Sequence, residues 1–591
     1  MPLTLRLSQF AEAEADTFRV EWSLDHSAPV RTRFTFTLSD QDREDLRWYL
    51  EDYLQYPLDP APTIAARIEQ RMKDIGVELF HHVFESSATA QRGWARLQPQ
   101  LQDTRIEIIT DVKEATTIPW ELLRDPVTDE ALLLRARAFV RAPSDQAQPP
   151  TLTPSPSQGE GSKVRILLVI CRPNAGADVP FRSVATRIIK GLTDEARAQF
   201  QLDVLRPPTF AQLSKTLRAA KASGKPYHVV HFDGHGTYAE LIPPQRDESD
   251  NDYAELLKQI LKQLNALTLG TPRTGKHGYL LFENPQTDEN MQLIDGPTLG
   301  KLLVENDVPT LVLNACQSAF ADVPTAPLVA DEAKVSEVGA QVRAFGSLAL
   351  EVMDAGVAGV VAMRYSLYVE TAKQFVADLY AALARGQSLG EAVTFGRKQL
   401  AAQPEREIAY QPIALQDWSV PIVYEASEIR LFPPTGAHIG APLHITLDKE
   451  MAQRGTEVGL PPRPDVGFFG RDETLLALDR AFDPSPSSGQ AQSVVLLHAF
   501  AGSGKTTTAA EFARWYALTG GIAGPILFTS FEQYKPLPRV LDTLGQVFGG
   551  VLEQAGIQWL ALDDAARRNV ALQVLRQVPV LWIWDNVEPI A

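Results

Sequence analysis

A cysteine and a histidine occupy matching positions in this sequence. Cys316 stands in Val308-Pro-Thr-Leu-Val-Leu-Asn-Ala-Cys-Gln-Ser-Ala, and 81 positions earlier His235 stands in Tyr227-His-Val-Val-His-Phe-Asp-Gly-His-Gly. Each lies where an apolar run ends. Leu311-Val-Leu and Val229-Val230 read as short buried strands, and ligands of open parallel sheets collect beyond the carboxyl ends of strands. A free thiol titrates near about 8.5, so Cys316 becomes a nucleophile at neutral pH only beside an imidazolium or a helix N-terminus. His235 can supply that charge, and the chemistry expected of the pair is thiolate attack on a carbonyl.

The neighbours of the pair are small. Gly234 and Gly236 flank the histidine, while Ala315 precedes the cysteine and Ser318 and Ala319 follow it. A peptide backbone can therefore approach closely, and the N–H groups of Gly236 and Cys316 are the natural donors to an oxyanion. Cys171 has no His-Gly partner nearby and reads as buried packing. His228 and His231 share the strand of His235 and read as core or edge residues, with His231 also placed to orient its neighbour.

A second chemistry lies downstream. Ala499-Phe-Ala-Gly-Ser-Gly-Lys-Thr-Thr follows the apolar run Val494-Val-Leu-Leu-His, expected as a buried strand, and precedes a helix beginning near Thr507. Backbone N–H groups of Gly502, Ser503, Gly504, Lys505, Thr506 and Thr507 would cradle phosphates at that helix start. Lys505 would reach the outer phosphates and Thr506 would hold magnesium. Val580-Leu-Trp-Ile-Trp-Asp-Asn supplies Asp585 as a second magnesium ligand, through water. Asn586 stands where fast ATPases place an acid, which favours slow switching. The expected cofactor is ATP with Mg2+ at this loop, and none for the cysteine site.

The elements that must position these groups follow from the pattern. Residues 1–142 mix alternating segments (Phe18 to Leu24, Thr32 to Leu38) with helical ones (Asp42 to Leu54, Ile64 to Phe84), which reads as an α+β accessory region. Residues 143–162 are almost entirely Pro, Ser, Gly, Gln and Thr and read as a flexible linker. From Lys163 to Leu431 apolar strands alternate with helices, including Glu370 to Arg385 and Ser388 to Ala401, so the fold class is α/β with a mostly parallel sheet flanked by helices. Between the two site strands, Tyr253 to Leu267 carries a leucine stripe and could act as a lid. Residues 432–465 read as a further linker and 466–591 as a partial P-loop domain, because only six residues follow Asp585. The expectation is a chain truncated at its C-terminus.

Composition bounds the rest. With 45% hydrophobic and 22% charged residues the chain is of ordinary globular type. A net charge of −17 argues against general nucleic-acid binding. Two cysteines cannot build a disulfide framework, and with no apolar run long enough for a signal peptide or a membrane span, the expected compartment is the cytoplasm.

The segment from Ile118 to Tyr424 resembles the CHAT family of bacterial caspase-like peptidases of clan CD. The resemblance rests on Pro119-Trp-Glu-Leu-Leu, on Gly234-His-Gly, on Asn314-Ala-Cys-Gln-Ser-Ala and on Tyr380-Ala-Ala-Leu-Ala-Arg-Gly-Gln-Ser-Leu-Gly-Glu-Ala. It implies a caspase-hemoglobinase fold and a Cys316–His235 dyad with no metal. Metacaspase-like members of the clan carry an acid two residues before the nucleophile. Asn314 stands there, leaving Asp233 or Asp322 as readers of a basic substrate residue. Phe469-Gly-Arg-Asp-Glu together with the phosphate loop looks like the start of a STAND-type NTPase of the NB-ARC or NACHT kind. That implies a nucleotide-held switch, homo-oligomerisation on activation, a protein substrate and a role in bacterial signalling or defence. The alternative is a non-catalytic caspase-like scaffold on an ATP-driven assembly module.

Overall fold

The structure is a computed structural model of the chain. It describes all residues except 1–2, 15, 26, 56, 111–117, 144–162, 174–199, 241–275, 288–289, 316–347, 366–368, 408–411, 432–456, 465–466, 483–493, 523, 533–536, 555–556, 558, 560–561, 563 and 589–591. Two compact units result, one of Met1–Gln201 with Pro208–His438, the other of Leu202–Pro207 with Ile439–Ala591.

The first unit is built on one large sheet. Its strands in chain order are β1 (Thr4–Ala11), β2 (Thr17–Leu24), β3 (Val30–Thr35), β4 (Arg105–Thr110), β5 (Ala138–Ala142), β6 (Val164–Ile170) and β7 (Val229–Gly234). Three short strands follow, β8 (Gly236–Glu240), β9 (Lys276–Phe282) and β10 (Gln292–Asp295), which form a small antiparallel sheet of their own. The large sheet resumes with β11 (Thr310–Ala315), β12 (Gly359–Met363) and β13 (Pro421–Glu425), and within it these strands follow one another in the order β3-β2-β1-β4-β5-β13-β12-β11-β7-β6. Pairing is parallel along β1-β4-β5-β13 and along β12-β11-β7-β6. It is antiparallel only at β3-β2-β1 and at β12-β13.

The sequence explains which strands sit where. β1 alternates buried Leu5 and Leu7 with exposed Arg6, the signature of a sheet covered on one face. Every residue of β7, β12 and β13 is buried, as strands covered on both faces require. Among the covering helices, α1 (Ala61–Phe84) turns Ala65, Ile68, Met72, Ile75, Leu79 and Val83 inward at helical spacing. Helices α2 (Val369–Ala384) and α3 (Leu389–Ala402) follow β12 in sequence. The start of α3 is fixed by a capping box between Ser388 and Glu391. From α3, Thr394 Oγ1 accepts from Phe139 N–H at 3.0 Å, and Arg397 donates to the carbonyls of Phe139 and Pro421, so the helix lies on β5 and β13.

Residues 1–142, expected as an accessory region, supply β1 to β5 of this same sheet and belong to the same compact unit. Buried charges join the two halves. Arg105 at the start of β4 bonds Glu425 at the end of β13 at 2.7 Å. Glu121 of the Pro119-Trp-Glu-Leu-Leu motif takes two bonds from Arg141, at 3.0 and 2.9 Å, and one from Arg364 at 3.3 Å. Trp120 Nε1 donates to Gln9 at 2.9 Å. Burial acts to raise the Glu121 carboxyl, but the two guanidinium groups prevail and hold it at about 2. Among the described residues no helix is long and apolar enough to cross a membrane.

Candidate active site

β7 and β11 are adjacent parallel strands, in register from Val229 opposite Thr310 to Gly234 opposite Ala315. The next residue after Gly234 is His235, and the next after Ala315 is Cys316. His235 is half-buried at the carboxyl edge of the sheet. Cys316 lies outside the described residues, as do Gln317, Ser318, Ala319, Asp322 and the proposed lid from Tyr253 to Leu267.

The chain leaves β7 through His235 directly into β8. There the His235 carbonyl accepts from Leu281 N–H at 3.0 Å, while Gly236 is opposite Leu280. In such a pair the flanking residues make the bonds, so the N–H of Gly236 is turned away from β9. Gly234 is held to glycine by space. A Cβ there would stand 2.9 Å from the Phe232 ring and 3.2 Å from the Cys171 Cβ.

Beside this edge lies a buried charge cluster that sequence reasoning missed. Arg172 lies two residues beyond the end of β6, and its Nη1 donates to the carbonyls of Cys171 at 2.9 Å and Asp233 at 2.8 Å. Its Nη2 lies 3.0 Å from Asp233 Oδ2. Its backbone N–H donates to Glu283 Oε1 at 2.8 Å. The available signal was an arginine placed directly after the apolar run Val164 to Cys171. Asp233, considered above as a reader of a basic substrate residue, is 1% exposed and carries the Arg172 guanidinium. Its charge is thus balanced internally, which corrects that expectation.

His231, His228 and Cys171 are structural. His231 is fully buried, its Nδ1 is 3.0 Å from the Tyr380 hydroxyl, and burial pushes the ring down to about 3. Its bond is to Tyr380 on α2, so His231 packs the core rather than orienting His235. His228 Nδ1 accepts from Arg165 N–H at 3.0 Å, and burial followed by the Arg165 charge lowers it. The Cys171 thiol is buried, donates to the Pro208 carbonyl, and is pushed well up, first by burial and then by Glu283. It is inert packing, as its sequence context indicated.

In the second unit, α4 (Lys505–Leu518) starts at Gly504, whose φ is 82°. Gly502 has φ 75°, and no atom lies within 4 Å of a Cβ at either glycine, so backbone conformation rather than space requires them. Thr506 Oγ1 donates to Asp585 Oδ1 at 2.8 Å. Asp585 ends a strand, Leu581–Asp585, that pairs in parallel with Ile526–Ser530. Lys505 Nζ bonds the carbonyls of Ala499 and Phe500 at 3.0 and 3.3 Å, and Arg471 bonds that of Ser503. Thr507 lies in the first turn of α4.

A glycine-formed turn, a helix N-terminus, a lysine and a hydroxyl–carboxylate pair fit a nucleotide phosphate with magnesium. Val494 to His498 departs from expectation. It is not a strand, and Val494 and Leu496 are 83% and 73% exposed, because no strand among the described residues pairs with it.

The match to a family model falls largely on the first unit. The model of the CHAT domain matches residues 76–426. No curated protein sequence matches the chain. Among solved structures, the Arg-specific cysteine proteinase gingipain R (RGPB) is similar over 62% of this chain and 76% of that one, with 10% identity and a TM-score of 0.27. Matched by that domain model over more than half of its length, the chain belongs to the CHAT-domain family, with its caspase-like peptidase fold.

Proposed function

We propose that the protein is a caspase-like cysteine endopeptidase in which Cys316 is the nucleophile and His235 the base. One observation carries the reading. The pairing of Gly234 with Ala315 brings the strands that lead into His235 and Cys316 to the same level, and adjacent strands lie only about 4.8 Å apart. His235 takes the thiol proton, and the Cys316 sulfur attacks the substrate carbonyl. The N–H groups of Gly236 and Cys316 receive the oxyanion. His235 returns the proton to the departing amine, and water then hydrolyses the thioester. The substrate is a protein, and no cofactor enters these steps.

The test is a slow thiol alkylator applied from pH 5 to 9, with the label located by mass. Cys316 is expected to react with a midpoint at least about one unit below the 8.5 of a free thiol. A midpoint at the free-thiol value would favour the scaffold reading and remove the peptidase.

In the same proposal the second unit binds ATP with Mg2+ and acts as a STAND-type switch that governs the peptidase, through homo-oligomerisation, in bacterial signalling or defence. Lys505 would bind the outer phosphates, while Thr506 and Asp585 would hold the magnesium, which supplies charge neutralisation of the phosphates. Lys505→Ala removes charge-assisted hydrogen bonds worth about 1.5–3 kcal/mol. Calorimetric titration with Mg-ATP should therefore show about 10- to 100-fold weaker binding. Unchanged affinity would detach this loop from the nucleotide.

A further inference from the structure

We infer that Arg172 is a positioning residue for the cysteine–histidine centre, fixing the strand end from which His235 emerges; this rests on the peptidase reading. The contacts form a closed circuit around His235. Arg172 holds Asp233 by both its carbonyl, at 2.8 Å, and its carboxylate, at 3.0 Å, two residues before His235. The same Asp233 carbonyl also accepts from Cys171 N–H at 3.0 Å. The His235 carbonyl is held by Leu281 N–H at 3.0 Å. Two residues beyond Leu281, Glu283 accepts from the backbone N–H of Arg172 at 2.8 Å, which closes the circuit.

Arg172, Asp233 and Glu283 are 1%, 1% and 4% exposed. Taking three charged groups out of water is costly, and apolar packing would hold a strand end at lower cost. A planar guanidinium with donors in fixed directions provides what apolar packing lacks, a defined separation and angle between β6, β7 and the residue following β9. His235 must meet a thiol within hydrogen-bond reach, so an error of about 1 Å at this strand end is enough to lose the proton transfer.

The experiment uses the full chain and reads the pH midpoint of Cys316 alkylation by iodoacetamide, with circular dichroism as the check on folding. Arg172→Lys keeps the charge but not the fork, and the double variant Arg172→Met with Asp233→Leu removes both charges while filling the space. Both are expected to fold, with the Cys316 midpoint raised by about one unit toward that of His235→Ala, which sets the upper limit. A folded Arg172 variant with the wild-type midpoint, while His235→Ala is raised, overturns the positioning role alone. A wild-type midpoint already equal to that of His235→Ala overturns the peptidase reading and this inference with it.

Discussion

Cys316→Ala and His235→Ala are each expected to lower peptide cleavage by about 10⁴-fold or more, and the double variant to be no worse than the poorer single one. In the proposed mechanism the two groups act on one proton and one bond, so removing either would disable both, and such losses do not add. Residual turnover would come from the oxyanion donors and substrate binding alone. Cys171→Ala is the internal control. Its thiol is buried against the Pro208 carbonyl and held in its protonated form, so cleavage should persist. The measurement is cleavage of a mixed peptide library followed by mass spectrometry. Activity surviving in Cys316→Ala would assign the nucleophile elsewhere.

Glu121→Ala is expected to destabilise the first unit by about 3–5 kcal/mol, because it strands Arg141 and weakens the hold on Arg364 in the interior. The same carboxylate makes a prediction in pH. Its folded value is depressed from 4.5 to about 2. Its stabilisation is therefore complete above pH 4.5 and is lost as pH falls from there toward 2, at about 1.4 kcal/mol per unit. His231 adds an earlier onset. Its folded value is depressed from 6.5 to about 3, so below pH 6.5 the unfolded chain takes up a proton that the folded chain refuses. Melting temperature should thus begin to fall near pH 6.5 and fall more steeply below 4.5. Glu121→Gln should remove the steeper part and leave the first. Asp378, raised by burial from 3.8 to about 6, works in the opposite direction below pH 6, so the His231 part is read as the difference from His231→Gln, and identical pH profiles for the two proteins would contradict the burial of His231.

The strand ends that present the candidate site were legible because their chemistry is local. An apolar run stopping at Gly234-His-Gly or Asn314-Ala-Cys marks a buried strand and its polar exit, and the register of β7 with β11 agrees. Helices α1, α2 and α3 were likewise readable from their periodicity and from the cap at Ser388. Partners distant in sequence were not legible. Nothing near Arg105 announces that it meets Glu425, and nothing near Arg172 announces Asp233. A buried charge looks like an exposed one until the topology supplies its counterion. Val494 to His498 fails for the opposite reason, since apolarity reports what a segment would gain from burial and not whether a neighbouring strand exists to bury it.

The continuity of the large sheet across residues 143–162 has a meaning for inheritance. That stretch looks like the place where one gene segment was joined to another, yet β5 before it pairs with β13 far beyond it. A recombination there would carry off Arg105 and Glu121 and leave Glu425, Arg364 and the backbone edge of β13 without their partners. The strands that carry the candidate site are therefore tied by backbone pairing and buried ion pairs to the segment that precedes the apparent seam, and a fragment begun after residue 162 would expose an unpaired edge of β13 and the orphaned Glu425.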